Sequence, residues 1–148
     1  MTMRRNWKNS TQLLPVLLVI ALMALSSMPY TVDAKLHVYI INDLDPGLDL
    51  DIHCKSKNND LGDHKLSYGQ EYTWSFNQNL FGGTLFWCNF YWVNNGVNLQ
   101  AGYRVFDQHK QPSIFGDDYF YKVRKDGIYT SITVDDTFTK VSDWEKYN

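Results

Sequence analysis

From Leu48 to Lys55 the chain alternates without a miss. Leu48, Leu50, Ile52 and Cys54 are apolar, and Asp49, Asp51, His53 and Lys55 between them are polar or charged. Successive side chains of a strand point to opposite faces, so this stretch predicts a strand with one buried and one wet face. The same period returns in Glu71–Phe76, with an aromatic face of Tyr72, Trp74 and Phe76. It returns again in Thr84–Trp92, where Phe86, Cys88, Phe90 and Trp92 share one side. There Leu85, Trp87 and Tyr91 make the second side largely apolar too, which places the segment in the middle of a sheet or under a second cover. The two cysteines of the chain, Cys54 and Cys88, both fall on the core side of these strands.

Other segments carry the same signal. Leu36–Ile41 reads as a strand ended by the turn-rich Asn42–Gly47. Asn94-Asn95-Gly96 is a strong hairpin turn leading into Leu99–Asp107. Tyr119–Arg124 and Ile128–Val134 flank a second hairpin at Lys125-Asp126-Gly127. Phe138–Trp144 reads as a strand that closes the sheet or as a short helix. No stretch of the predicted domain sustains a 3.6-residue apolar period. The expected fold is all-β, a small antiparallel β-sandwich or barrel.

The first residues predict export. Arg4, Arg5 and Lys8 precede an uncharged apolar run, Leu13–Leu25, and Val32-Asp33-Ala34 offers small residues at the −3 and −1 positions of a cleavage site. The run is shorter than the about 20 residues of a spanning helix and contains Pro15. The reading is a cleaved signal peptide, residues 1–34, followed by one domain, residues 35–148, with no stable membrane insertion after cleavage. In an oxidising compartment two core-facing cysteines pair. The alternative, a free nucleophilic thiol, needs a partner base and partial exposure, and the flanking Phe86, Trp87 and Phe90 argue for burial.

Residues 35–148 hold eleven Lys or Arg against fifteen Asp or Glu, a net charge of −4, which gives no electrostatic reason to seek nucleic acid. Lys122, Arg124 and Lys125 read as a solvated face beside a turn. Asp43, Asp45, Asp49 and Asp51 invite a calcium site, but the EF-hand pattern fails at Gly47 and Cys54, where it needs an oxygen ligand and a Glu. They read as turn residues and a wet strand face. His37, His53, His64 and His109 have no metal-ligand spacing and no motif that fixes an acid–base pair. No serine sits in a nucleophile elbow, and Gly82-Gly83 reads as a turn rather than a phosphate loop. No metal, cofactor or enzymatic activity is expected.

Taken together, the run Cys54–Gly62, then Leu66, Gly69, Tyr72, Trp74 and Phe76, then Leu80–Trp92, resembles the plant self-incompatibility protein S1 family, the S-protein homologues. Val123–Tyr129 resembles that family's penultimate hairpin and Trp144 its terminal aromatic. The resemblance implies a small secreted β-sandwich of a kind whose founding members are pistil ligands recognised by a receptor on incompatible pollen. Many members carry a second cysteine pair just before the penultimate hairpin. Here Phe115–Tyr121 contains none, so the domain leans harder on its aromatic core.

Recognition on a rigid scaffold usually lives in loops. The expected binding segments are Lys55–Asp63, offering Lys55, Lys57, Asn58, Asn59, Asp60 and Asp63; Val93–Asn98, offering Asn94 and Asn95; and Asp107–Asp118, offering Asp107, His109 and Lys110. In the first, Gly62 suits a turn of positive φ and Leu61 plugs the core. The expected partner is a cell-surface receptor protein. The rival expectation is a carbohydrate-binding or antimicrobial defence protein whose outer aromatics stack on sugar rings. A secreted hydrolase is the third reading, and it lacks a catalytic set.

Overall fold

The computed structural model describes residues 13–26, 35–79, 81–111, 117–132 and 137–147. They fall in two units, Met1–Val32 and Asp33–Asn148. The first unit contains helix α1, Leu13–Ser26. No helix among the described residues is long and apolar enough to cross a membrane.

Among the described residues the second unit has ten strands: β1 Leu36–Asn42, β2 Leu50–Ser56, β3 Asp60–Leu66, β4 Glu71–Phe76, β5 Leu85–Asn94, β6 Val97–Asp107, β7 Asp118–Arg124, β8 Gly127–Ser131, β9 Thr139–Ser142 and β10 Glu145–Lys146. They form two five-stranded sheets, in the orders β4-β1-β7-β8-β9 (sheet A) and β10-β6-β5-β2-β3 (sheet B). The strand that is apolar on both sides, β5, is the centre of sheet B, because a side chain there has covered neighbours left and right. Phe138–Trp144 holds one strand, β9, which closes sheet A, and β10, which closes sheet B, follows directly after it. Of the expected strand Ile128–Val134, β8 ends at Ser131, Ile132 lies just past it, and residues 133 and 134 lie outside the described residues.

Alternation fills the space between the sheets. Leu36, Val38 and Ile40 of β1 and Tyr119, Tyr121 and Val123 of β7 meet Leu50, Ile52, Phe86, Phe90 and Trp92 from sheet B, all buried. Aromatic contacts run through this layer, with Phe76 4.6 Å from Phe86 and 4.9 Å from Phe106, and Phe106 5.3 Å from Tyr119. Such pairs contribute about 0.5–1.5 kcal/mol each beyond the area they bury. A hydrogen bond crosses between the layers as well. The Tyr121 hydroxyl of sheet A donates to the Val105 carbonyl of sheet B at 2.6 Å. Burial pushes that phenol's pKa well up, so it stays a donor. Buried Asn42 donates to the carbonyls of Leu48 and Leu66 and accepts from the Leu44 N–H, stitching the β1–β2 connection to the end of β3.

Three findings depart from the sequence reading. β1 runs parallel to β7, with His37 beside Asp118, so the sandwich is mostly rather than wholly antiparallel. Parallel neighbours need a crossover, and here it carries β4 and four of the five strands of sheet B, β2, β3, β5 and β6. Secondly, Lys55–Asp63 is not one loop but the end of β2, the turn 57–59 and the first half of β3. β3 hides in the sequence because, as an edge strand, it buries only Leu66 fully. Its register against β2 also slips between His53 and Lys55. Gly62, φ 81°, takes up that slip as a bulge, while Leu61 packs against the core. Thirdly, Val93–Asn98 shrinks to the two-residue turn Asn95-Gly96, both with positive φ.

Cys54 and Cys88 are disulfide-bonded. They stand directly opposite one another in the β2–β5 register, with Cα atoms 4.1 Å apart. The staple therefore joins neighbouring strands within sheet B rather than tying one layer to the other. Closing a loop of 34 residues restrains the unfolded chain by about 4 kcal/mol on the chain-entropy account. Cys88→Ser is expected to lower the unfolding free energy by about 3–4 kcal/mol in a urea titration. The oxidised protein should weigh about 2 Da less than the reduced form; unchanged mass on reduction and an unchanged midpoint in the variant would refute the staple.

Candidate functional site

Strand register decides which connections meet. Ser56 pairs with Phe86 and Leu85 with Asp107, so the turn 57–59, the β4–β5 loop 77–84 and the turn after Asp107 share one end of sheet B. The Asn95-Gly96 turn sits at the other end, where Asn94 pairs with Val97. Of the expected binding residues, Lys57, Asn58, His109 and Lys110 thus gather at one end. Asn94 and Asn95 do not join them. Lys55, Asp60 and Asp63 lie on strands β2 and β3.

The shared end is held by short polar contacts. Ser56 and Asn59 close the β2–β3 turn, Ser56 N–H to the Asn59 carbonyl at 2.7 Å and Asn59 N–H to Ser56 Oγ at 3.1 Å. These bonds use the Asn59 backbone, and Lys57, Asn58 and Asn59 are all exposed. In the β4–β5 loop the Asn79 N–H donates to Thr84 Oγ1, and Asn79 Oδ1 accepts from the Phe81 N–H. Gln108 then ties that loop to the end of β6. Its side chain donates to the Asn79 carbonyl and accepts from the Thr84 N–H, each at 3.0 Å, while its own N–H donates to the Thr84 carbonyl. Asp107 caps its turn, its Oδ1 accepting from the His109 N–H and its backbone carbonyl from the N–H groups of Lys110 and Gln111. It is a structural residue more than a free reader of partners.

A groove of about 460 Å³ runs between the two loops, bordered by Lys57, Asn58, Phe76, Asn77, Gly82 and Thr84. Phe81, on the rim-forming loop, is 96% exposed. Sequence reasoning passed over it, treating Gly82-Gly83 as a turn only. The available signal was an aromatic set beside two glycines, where no strand carries it inward.

On the outer face of sheet B, His53 bridges two carboxylates, Nδ1 to Asp63 at 2.7 Å and Nε2 to Asp60 at 2.8 Å. Lys55 lies 5.6 Å from the centre of the Trp87 ring. The acidic run that invited calcium is taken up by cations: Asp43 pairs with Arg124 at 2.9 Å, Asp45 with Lys125 at 2.7 Å and Asp51 with Lys65 at 3.2 Å. Asp49 accepts from the Ser67 hydroxyl. The basic cluster and the acidic run, about eighty residues apart, are each other's partners.

The family described as plant self-incompatibility protein S1 matches residues 37–144, nearly the whole second unit. The chain belongs to that family. Among its relatives, S-protein homolog 29 of Arabidopsis thaliana is 42% identical over 89 residues, covering 60% of this chain and 66% of that protein. S-protein homolog 2 of the same plant is 35% identical over 94 residues, covering 64% and 58% respectively. The match thus spans a little under two thirds of the length of these relatives. One solved structure is described as that of SPH (self-incompatibility protein homologue) proteins, "a widespread family of small, highly stable, secreted proteins from plants". It superposes with a TM-score of 0.55 over 74% of this chain and 94% of its own, at 23% identity. That likeness is one of fold, and the S1-family sandwich accounts for it.

The His53 bridge makes a pH-dependent prediction for the S1-family domain. The hydrogen bond to Asp63, then that to Asp60, raises the imidazole pKa above its ordinary 6.5. The Gly62 N–H, then His53, lowers that of the Asp60 carboxyl below 3.8. A raised histidine stabilises the fold fully below its unfolded pKa and loses that contribution as pH climbs through the folded value. A lowered carboxylate contributes above its unfolded pKa and loses the contribution as pH falls through the folded one. The expected outcome is an NMR titration of His53 centred above 6.5 that returns toward the ordinary midpoint in Asp63→Asn; a midpoint indifferent to that change would contradict the bridge.

Proposed function

We propose that the protein is exported, loses residues 1–34, and acts outside the cell as a ligand that binds a cell-surface receptor protein. The binding surface is the end of the sandwich built by the turn 57–59, the loop 77–84 and the turn after Asp107. One observation carries this reading: Phe81, 96% exposed, stands on a loop whose backbone is fastened by Asn79, Thr84 and Gln108. A large apolar side chain held out on a rigid loop loses little conformational entropy on binding, which is how aromatic anchors gain affinity. Lys57, Asn58, His109 and Lys110 supply a polar rim around it.

Binding rather than catalysis is favoured by how the histidines are used. His37 pairs with Asp118, His53 with two carboxylates, and His64 bonds to the Leu61 carbonyl while stacking on Tyr72 at 3.8 Å. His37 is on β1 of sheet A, and His53 and His64 are on the paired strands β2 and β3 of sheet B. Membership of the S1 family and the fold shared with proteins described as secreted support export.

Amino-terminal sequencing of the exported protein should begin at Lys35. With a photo-crosslinking residue in place of Phe81, one plasma-membrane protein should be captured from responding cells. The same residue in place of Asn95, at the far end, should capture none. Equal capture from both ends, or none from either, would overturn the assignment of this end.

A further inference from the structure

The receptor reading leaves the outer face of sheet B unused. At its centre Trp87, Asn89 and Tyr91 of β5 point away from the core, each partly exposed. Trp87 stands across from Lys55 of β2, whose ammonium lies over the ring. On its other side the register with β6 slips between Phe86 and Cys88, which brings Arg104 alongside, its side chain 62% exposed. Neighbouring strands lie about 4.8 Å apart, so Lys55 and Arg104 arise from strands roughly 10 Å apart, one on each side of the strand that carries the indole.

The next row along the sheet is His53, Asn89 and Gly102. Gly102 needs no special backbone angle, since its φ is not positive. What it supplies is the absence of a side chain, and a Cβ there would come 3.3 Å from Asn89 Oδ1. Glycine inside a strand often marks a place where a ligand approaches the backbone. Here it borders a hollow of about 530 Å³ flanked by Arg104 and Lys110. On a domain of net charge −4, Lys55 and Arg104 stand on either side of Trp87, and Lys110 lines the neighbouring hollow with Arg104 and Asp107.

The pattern selects its occupant. An indole face takes a flat apolar surface, a guanidinium and an ammonium take carboxylates, and the Asn89 amide and the Asp63 carboxylate take hydroxyls. A pyranose uronate presents all three: a C–H face, ring hydroxyls and a carboxylate. We propose that this face binds an acidic polysaccharide of uronate residues. One sugar stacks on the Trp87 face opposite the one that Lys55 covers, and neighbouring carboxylates reach Lys55 and Arg104. Each cation also has a carboxylate of its own nearby. Asp60 stands opposite Lys55 and is bonded to His53, and Asp107 lies 3.5 Å from Arg104. Each sugar is therefore held weakly, and affinity comes from repetition along the polymer. The proposal does not depend on the receptor reading, which rests on Phe81 and shares only Lys110 with this face.

The test is native electrophoresis of the secreted protein through gels containing polygalacturonate, fully methyl-esterified polygalacturonate, or sulfated dextran. Polygalacturonate should retard the protein at least tenfold more effectively than its neutral ester. Trp87→Ala, Gly102→Leu and Arg104→Glu should each remove most of that retardation. Gly102 and Arg104 are exposed, so these two variants should keep the parent melting temperature and carry the test even if Trp87→Ala does not. Three results would each overturn the proposal: no retardation, equal retardation by the ester, or retardation by sulfated dextran that matches polygalacturonate and ignores Gly102→Leu.

Discussion

Cys54 and Cys88 face one another across β2 and β5 with their side chains fully buried, and a strand register fixed at one pair is fixed along the strand. Because side chains alternate, a slip of one residue would turn Ile52, Phe90 and Trp92 outward and bring His53, Trp87 and Asn89 in. The covalent pair forbids that slip at the centre of sheet B. It thereby sets which residues the outer face displays and how the carboxylates of β3 meet His53.

The bond does nothing directly for sheet A. That layer is held by what sits between the sheets, namely the aromatic contacts around Phe76, Phe86 and Phe106, the Tyr121–Val105 hydrogen bond and the packing of Trp92 against Trp144. Trp144 also donates its indole N–H to the Arg124 carbonyl, so the chain's last tryptophan fastens a strand of sheet A while β10 extends sheet B. One layer is set by a covalent register and the other by packing and polar bonds. The fold therefore needs few apolar side chains beyond those buried between them.

The sequence made the inward faces plain because burial on one side leaves a period of two, and β1, β2, β5 and β7 keep it cleanly. The tight turn at Asn95-Gly96 was legible for the same local reason, since left-handed angles demand those residues. β3 was not, because an edge strand hides little and its one bulge breaks the period. The Asp43–Arg124 and Asp45–Lys125 pairs were invisible for want of any local sign. The candidate site was half legible. Lys57, Asn58, His109 and Lys110 stood in turns, but only register shows that these turns share an end, and that Asn94 and Asn95 do not. Phe81 needed the hydrogen bonds of Asn79 and Gln108 to be seen as displayed rather than loose.

The parallel seam of sheet A also governs when this molecule can finish folding. β1 is the first strand of the sandwich to be synthesised, yet its neighbour β7 lies about eighty residues later, beyond every strand of sheet B except β10. Long-range pairings of this kind slow a chain's search for its final form. Until that late segment arrives, Val38 and Ile40 have β4 on one flank and an open edge on the other. A nascent chain in that state offers an unpaired, greasy strand to any neighbour. The interval between making residue 42 and residue 118 is thus when association with chaperones, or with other copies, competes most strongly with correct closure.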